Sequence, residues 1–196
     1  MIADDFIKLI LDTIVLCPLS TGIAISLSPI FILIVNNKIG ITIIRIISFL
    51  FRLIPSPILI LILLMFNDPS ISLAAITLGL HNAAITSKLL LANLHNQDNK
   101  QYIAMKSLGV AKRSSWLFGL FVKPANSYLA YCAYRSDIII RETAILGVIG
   151  SVGLGWQLQE SLSSFAWEEV IVILFAYSSI AIIGELINGK IKSNLT

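Results

Sequence analysis

The feature that most constrains this chain is the length of its apolar runs. Of its 196 residues, 57% are hydrophobic and only 13% are charged, and the mean hydropathy is +0.89. Soluble domains carry about 25% charged residues, whereas a helix that crosses a bilayer needs about 20 mostly apolar residues. The sequence therefore predicts an all-α integral membrane protein, with one transmembrane domain over residues 1–196.

Five membrane spans are predicted from the breaks in the apolar pattern. Asn, Gly and Pro clusters mark the boundaries, and the spans are residues 6–35, 44–66, 72–93, 125–149 and 170–187. Asn36 and Asn37 end the first span, and the IPSP turn at 54–57 makes the second enter obliquely. The glycine series 147–155 predicts a loop or a broken helix after the fourth.

One long polar interval, residues 94–124, separates the third and fourth spans. Its core predicts a short amphipathic helix followed by Gly109, and such helices lie on a surface or against a partner. The apolar side is predicted to hold Tyr102, Ile103, Met105 and Leu108, and the opposite side Lys100, Lys106 and Lys112.

The basic residues predict the orientation of the spans. With the N-terminus outside and the C-terminus cytoplasmic, the cytoplasmic side or its boundary receives Lys38, Arg45, Arg52, Lys100, Lys106, Lys112, Arg113, Lys123, Lys190 and Lys192. Cytoplasmic loops of membrane proteins carry such an excess of Lys and Arg. The polar interval is therefore expected in the cytoplasm. Asp4 and Asp5 stand where a signal peptide needs positive charge, so the N-terminal run is expected to stay in the mature protein.

Four charged residues lie in the fourth predicted span, namely Arg135, Asp137, Arg141 and Glu142. A charge at the bilayer centre costs about 2.5 to 3.5 kcal/mol, so these side chains are expected to face protein or water. The four-residue spacing favours an ion pair between Asp137 and Arg141. Helical geometry also places Tyr128, Tyr131, Arg135 and Glu142 on one stripe. The stripe is either a packing network or the lining of a pathway for a polar or anionic solute.

The third span carries a weaker stripe of Thr77, His81, Ala84 and Lys88. His81 is expected either to hydrogen-bond across helices or to contact a pathway or gate. Lys88 is expected to extend toward the cytoplasmic boundary.

No catalytic motif is visible in the sequence. The glycine series lacks the Lys and Ser/Thr of a phosphate-binding loop, and no metal-ligand pairing or nucleophile constellation is present. Cys17 and Cys132 are far apart in the chain and are expected to be buried thiols. We therefore expect no enzyme activity, no bound metal or cofactor and no nucleic-acid partner.

Four segments resemble the permease subunit of type I ABC importers of the phosphonate and phosphite family. They are FRLIPSPILILILL (51–64), GLHNAAITSKLL (79–90), IAMKSLG (103–109) and YRSDIIIRETAILGVIGSVGLGWQLQESL (134–162). The last segment is the most specific, with its Tyr-Arg, acid, Arg and glycine-rich series. Ile103 stands where the family usually has Glu, Met105 where it has Ala, and Lys123-Pro124 lies about two residues late.

The resemblance implies a coupling helix in the cytoplasmic loop, in which Ala104, Met105 and Gly109 dock on an ATPase. It further implies a second permease copy, a cytoplasmic ABC ATPase dimer that uses ATP, and an extracytoplasmic solute-binding protein. Members of the family often carry an additional N-terminal span, which is not expected within this sequence. The implied pathway or gate positions are His81, Tyr131, Arg135, Asp137, Arg141, Glu142, Gly150, Gly153 and Gly155.

The function predicted on this basis is ATP-driven import of phosphonate, phosphite or a related small oxyanion across the bacterial cytoplasmic membrane. Three alternatives remain open at this point. They are a permease of the same kind for an amino acid or a betaine, a non-transporting membrane scaffold, and a secondary carrier that follows an ion gradient.

Overall fold

A computed structural model describes residues 3–34, 38–150 and 152–195. Its helices are α1 (Ala3–Ile34), α2 (Lys38–Leu53), α3 (Ser56–Leu64), α4 (Ile71–His95), α5 (Lys100–Ser107), α6 (Lys112–Trp116), a π-helical turn (Leu117–Phe121), α7 (Ala125–Gly150), α8 (Gly153–Ser163) and α9 (Trp167–Leu195). Val35, Asn36 and Asn37, where the first span was predicted to end, lie outside the described residues, as does Ser151 in the glycine series.

The apolar helices fit a protein that crosses the membrane several times. Within the described residues, three stretches are long and apolar enough to span a bilayer, namely Asp5–Leu33, Ile71–His95 and Trp167–Ser193. Two bent pairs, α2 with α3 and α7 with α8, raise the number to as many as five if each pair forms one span. The predicted all-α membrane architecture is confirmed in the described part of the chain.

The stretch predicted as a single second span is two helices that meet at 92°. Proline explains the break: Pro55 has no N–H to continue the helix, and the residue before a proline is driven out of helical geometry. Pro55 adopts φ −57° and ψ 144°, and a new helix then starts at Ser56. The Nδ1 atom of His81 lies 3.2 Å from the carbonyl oxygen of Phe51 in the last turn of α2. His81 therefore satisfies a carbonyl that the helix end leaves without a partner.

The centre of the bundle is the packing of α1 against α4. A Cβ atom on Gly79 would lie 2.5 Å from Cγ2 of Ile23, so only glycine permits this approach of the two helices. One turn further along, the Ser28 hydroxyl donates to the carbonyl oxygen of Ala83 at 2.8 Å, and it lies 2.6 Å from the hydroxyl of Thr86. Small residues and buried hydroxyl groups thus hold α1 against α4. In a membrane, apolar side chains alone would do this poorly, because they pack equally well against lipid.

The glycine series forms a bend between two helices, as the broken-helix prediction allows. Helix α7 ends at Gly150 and α8 starts at Gly153, whose φ is +63°, and the two helix axes differ by 58°. The backbone N–H of Leu154 donates to Oγ1 of Thr13 at 3.0 Å, so a side chain of α1 caps the start of α8. Residues 156–163, which the sequence left outside any span, are helical because α8 packs on α1, α7 and α9.

Candidate functional site

A buried polar cluster joins α4 to α7 and consists of Asn82, Arg135 and Glu142. Nε of Arg135 donates to Oδ1 of Asn82 at 2.5 Å, and Nη2 donates to Oε1 of Glu142 at 3.1 Å. The Asn82 amide donates to the other carboxylate oxygen of Glu142 at 3.0 Å. The side chains of Arg135 and Glu142 are 14% and 21% exposed, and Asn82 is fully buried. The positive charge of Arg135 is therefore compensated within the chain itself.

Asn82 is the member of this cluster that sequence reasoning missed. Asn82 follows His81 directly and is uncharged. The free-energy cost of placing a charge in the membrane, which singled out the residues of the fourth span, therefore does not single out Asn82. Its position i+1 to His81 also places it off the stripe of Thr77, His81 and Lys88. The sequence could have indicated Asn82 in one way. An amide side chain in a predicted span needs a polar partner, and the charged residues of the fourth span could supply it.

Asp137 belongs to a second polar group, which links α7 to α9. It accepts a hydrogen bond from the Asn188 amide and forms an ion pair with Lys192, whose Nζ lies 3.1 Å from Oδ2. Nζ of Lys192 also lies 5.3 Å from the centre of the Tyr134 ring. The predicted ion pair between Asp137 and Arg141 is therefore wrong. The carboxylate of Asp137 pairs instead with Lys192 of α9. The four-residue spacing within α7 cannot indicate a contact with another helix.

Arg141 is the charged residue of α7 that points away from the chain. It is exposed, and no acidic side chain of a described residue lies within ion-pair distance of its guanidinium. At 1.5 Å per residue it lies within roughly 5 Å of the middle of α7. If α7 and α8 together form one span, an arginine near the middle of α7 is costly against lipid, which favours water or another protein at this surface.

The predicted stripe of four polar residues on α7 is only partly observed. Arg135 and Glu142 meet in the polar cluster, as described. The Tyr128 hydroxyl instead donates to the carbonyl oxygen of Ile25 on α1 at 2.8 Å. Tyr131 is half-buried, and its ring centre lies 6.2 Å from that of Tyr134. Tyr128 thus serves the contact with α1, and its place on a pathway is not supported by this geometry.

Gly150, Gly153 and Gly155 are all buried within the chain. A Cβ atom on Gly150 would lie 2.7 Å from Cδ1 of Ile60, and one on Gly155 would lie 2.7 Å from Cα of Gly147. These glycines allow the bend between α7 and α8 to pack closely. Their role as a gate stays a prediction.

Helix α5 lies in the polar interval and ends in a glycine-dependent cap. The N–H of Gly109 donates to the carbonyl of Lys106 at 3.1 Å, and the N–H of Val110 donates to that of Met105 at 3.1 Å. This pair of bonds is a Schellman motif, which needs a left-handed residue after the helix end. Gly109 provides it, with φ +78°. The glycine singled out in the sequence therefore determines where α5 stops.

A π-helical turn positions α5 against the rest of the chain. A Cβ atom on Gly119, within this turn, would lie 2.8 Å from Cα of Tyr102 on α5. The rings of Trp116 and Phe121, on either side of Gly119, have centres 5.3 Å apart. Nζ of Lys123 donates to the carbonyl of Asp98 at 3.1 Å. The face of α5 that contains Tyr102 is thus held against the backbone of the π-helical turn at Gly119.

The outer face of α5 presents apolar side chains to solvent. Ile103 is 58% exposed and Leu108 is 82% exposed, and Ala104 and Gly109 are exposed beside them. Tyr102 and Met105 are half-buried. The predicted single apolar side is therefore wrong, because the helix uses Tyr102 to contact the π-helical turn and leaves Ile103 and Leu108 free.

Comparison with known proteins confirms the predicted resemblance. No family model matches the chain. A candidate phosphite transport system permease protein of Stutzerimonas stutzeri is 27% identical over 120 residues, which are 61% of this chain and 46% of the relative. A phosphite transport system permease protein of the same species is 20% identical over 61% of this chain and 43% of the relative. A phosphate-import permease protein of Mycolicibacterium smegmatis is 26% identical over 50% of this chain and 19% of the relative. The match thus spans less than half the length of these three relatives.

The fold is similar to that of a chain in a solved ABC transporter. A chain in the crystal structure of an amino acid ABC transporter with histidines superposes with a TM-score of 0.75, covering 96% of this chain and 93% of that chain at 19% sequence identity. At this identity the match describes the architecture alone. It confirms the predicted permease fold for the whole described bundle.

Proposed function

We propose that this chain is the membrane-spanning permease subunit of an ATP-driven importer for phosphite, phosphonate or a related small oxyanion. The observation that supports the transport role most directly is α5, a short helix with solvent-exposed Ile103 and a solvent-exposed Leu108 directly after its last residue. The similarity to phosphite transport permeases and to a phosphate-import permease supports the choice of cargo.

Helix α5 would act as the coupling helix. Exposed apolar residues on a short helix suit the groove of a partner protein, and ATP hydrolysis would take place on that partner rather than on this chain. The Schellman cap fixes the length of α5, and the contact between Gly119 and Tyr102 connects it to α7 through the π-helical turn. A movement of the ATPase would therefore reach the membrane helices through backbone contacts rather than through a flexible loop.

Arg141 would line the translocation pathway. Its exposure near the middle of α7, without an acidic partner among the described residues, leaves a positive charge able to attract an oxyanion. Arg135 is less suited to this role, because Glu142 and Asn82 already compensate its charge. The geometry thus favours Arg141 as the pathway residue, whereas the sequence did not distinguish it from Arg135.

A second copy of the chain would complete the pathway. Two α7 helices that face each other across a central cavity would place two Arg141 side chains against water instead of lipid, and a two-fold dimer is the commonest arrangement for such an interface. The complex would also include two ATPase subunits on the cytoplasmic side of the bacterial cytoplasmic membrane and a solute-binding protein on the opposite side. The N-terminus would lie outside and the C-terminus in the cytoplasm, in accord with the basic residues.

Co-purification and uptake together test this proposal. The tagged chain is purified from its own membranes, and labelled phosphite uptake is then measured with and without the ATPase that co-purifies. The proposal expects an ABC ATPase in the complex and loss of uptake on its deletion. Unchanged uptake would instead favour a secondary carrier. A scaffold would assemble normally and leave flux unaltered in the variant Arg141→Ala.

A further inference from the structure

A basic pocket lies between α2 and α4, at the end of α4 that leads into α5. It has a volume of about 420 Å³. Its cationic or titratable lining residues are Arg45, Arg52, Lys88 and His95, and the lining also includes Ser48, Phe49, Leu91, Ala92 and Asn96. No acidic residue is part of this lining, so the pocket carries a net positive charge within the described part of the chain.

Helix geometry builds this pocket from one face of each helix. Arg45, Ser48, Phe49 and Arg52 follow the spacing i, i+3, i+4, i+7 on α2, and Lys88, Leu91, Ala92 and His95 repeat it on α4. The two rows extend about 10 Å along their helices. The contact between the hydroxyls of Ser48 and Ser87, 3.3 Å apart, joins the helices beside the pocket.

The cations of the pocket are not neutralised by the chain. Arg52 donates through Nε to the carbonyl of Ser48 at 3.0 Å, a bond that leaves its charge uncompensated. For Arg45 and Lys88, both exposed, no ion pair is formed with a described acidic residue. Three positive charges around one cavity repel one another, and a phosphate-bearing anion in the cavity would relieve that repulsion.

The surroundings of the pocket indicate where such an anion comes from. On α2 the surface next to the pocket is apolar: Ile46, Phe49, Leu50 and Leu53 are 54%, 53%, 52% and 60% exposed. An aqueous ion would gain nothing from such a surface, whereas the acyl chains of a phospholipid would bury it. Basic pockets between membrane helices on the cytoplasmic side are suited to anionic headgroups.

We infer that this basic pocket binds the phosphate headgroup of an anionic phospholipid, with the acyl chains along the exposed apolar surface of α2. The inference depends on the membrane-spanning fold and is independent of the cargo. Lys88, which the sequence predicted to extend toward the membrane boundary, is then one of the headgroup ligands.

The test measures lipid retention by the full-length chain. Detergent-purified protein is incubated with equal amounts of phosphatidylcholine and phosphatidylglycerol, and the lipid that stays bound is counted by native mass spectrometry. Wild-type protein should retain phosphatidylglycerol preferentially. In the variant Arg45→Gln, Lys88→Gln, the ratio of bound phosphatidylglycerol to bound phosphatidylcholine should fall about tenfold. The reason is that each basic residue contributes measurably to binding an anionic lipid.

Two controls distinguish the pocket from general charge and from folding. The variant Lys112→Gln, Arg113→Gln removes the same charge from exposed positions near α5 and should retain the preference. Arg45→Lys keeps the charge and should also retain it, and circular dichroism checks that each variant is helical. Equal retention of both lipids by wild-type protein, or equal loss in the control, would overturn the inference. Displacement of phosphatidylglycerol by inorganic phosphate alone would assign the pocket to a free anion instead.

Discussion

Arg135 and Glu142 are charged residues in an apolar bundle, and Asn82 forms a hydrogen bond with each of them. The amide donates to the carboxylate and accepts from the guanidinium, so three side chains satisfy each other across α4 and α7. Pairs of this kind contribute little net stability, but removing one partner leaves the other buried and uncompensated. The cluster should therefore respond very differently to single and double substitution.

For Arg135→Gln we expect destabilisation of about 1 to 3 kcal/mol, because Glu142 keeps a buried charge without a cation. The variant Arg135→Met, Glu142→Leu should be closer to the wild type than the single variant is. Thermal unfolding in detergent measures both. If the double variant is at least as unstable as the single one, the uncompensated charge of Glu142 is not the cause of the instability.

Arg141→Gln tests the residue that we place in the pathway. Since Arg141 contacts no described acidic group, its replacement should leave the unfolding temperature unchanged and lower oxyanion uptake about tenfold or more, the loss of one charge contact being worth roughly 1.4 kcal/mol or more. Lys190→Gln, at an exposed position near the end of α9, is the matched control. Wild-type uptake in Arg141→Gln would remove this residue from the pathway.

At the scale of elements, α5 depends on a single left-handed residue. Replacing Gly109 by Val puts a branched side chain at φ +78°, a conformation that costs about 1 to 2 kcal/mol for residues other than glycine. We expect several-fold less ATPase to co-purify with Gly109→Val. Gly109→Asn should retain most of it, because asparagine also occurs at this helix-end position. Equal retention in both variants would contradict a role for the cap.

Gly119 tests the contact that holds α5 on the bundle. In Gly119→Ala the new methyl group would meet the backbone of Tyr102 at 2.8 Å, and such overpacking typically costs about 1 to 3 kcal/mol. The expected results are a lower unfolding temperature and weaker coupling of ATP hydrolysis to transport. Gly22→Ala, where a Cβ meets nothing within 4 Å, should have neither effect. If the two variants behave alike, the π-helical turn does not position α5.

Hydropathy was sufficient to predict the helical class and the exposed interval that contains α5, since both follow from local composition. The 92° break, the helical state of α8 and the π-helical turn were not predictable in the same way. The IPSP turn indicated where the chain breaks but not the 92° angle, and the start of α8 is capped by Thr13 of α1 through the N–H of Leu154. Among site residues, Asn82, Asn188 and Lys192 were missed because their partners lie on other helices.

At the scale of the whole molecule, the bundle leaves specific surfaces unsatisfied. Arg141 on α7, the apolar face of α5 and the basic pocket between α2 and α4 each require something from outside the chain. We assign these to a second permease copy, an ATPase and an anionic phospholipid respectively. Under the proposed function, such a subunit would transport only as part of a larger complex in a membrane.

The most direct test of this account is uptake into liposomes that contain the chain and its ATPase, with the solute-binding protein added outside. Labelled phosphite should accumulate only when ATP is present inside, and excess methylphosphonate should compete with it while methionine should not. Accumulation that follows an ion gradient without ATP, or that methionine alone suppresses, would contradict the proposal that this chain is an ATP-driven oxyanion permease.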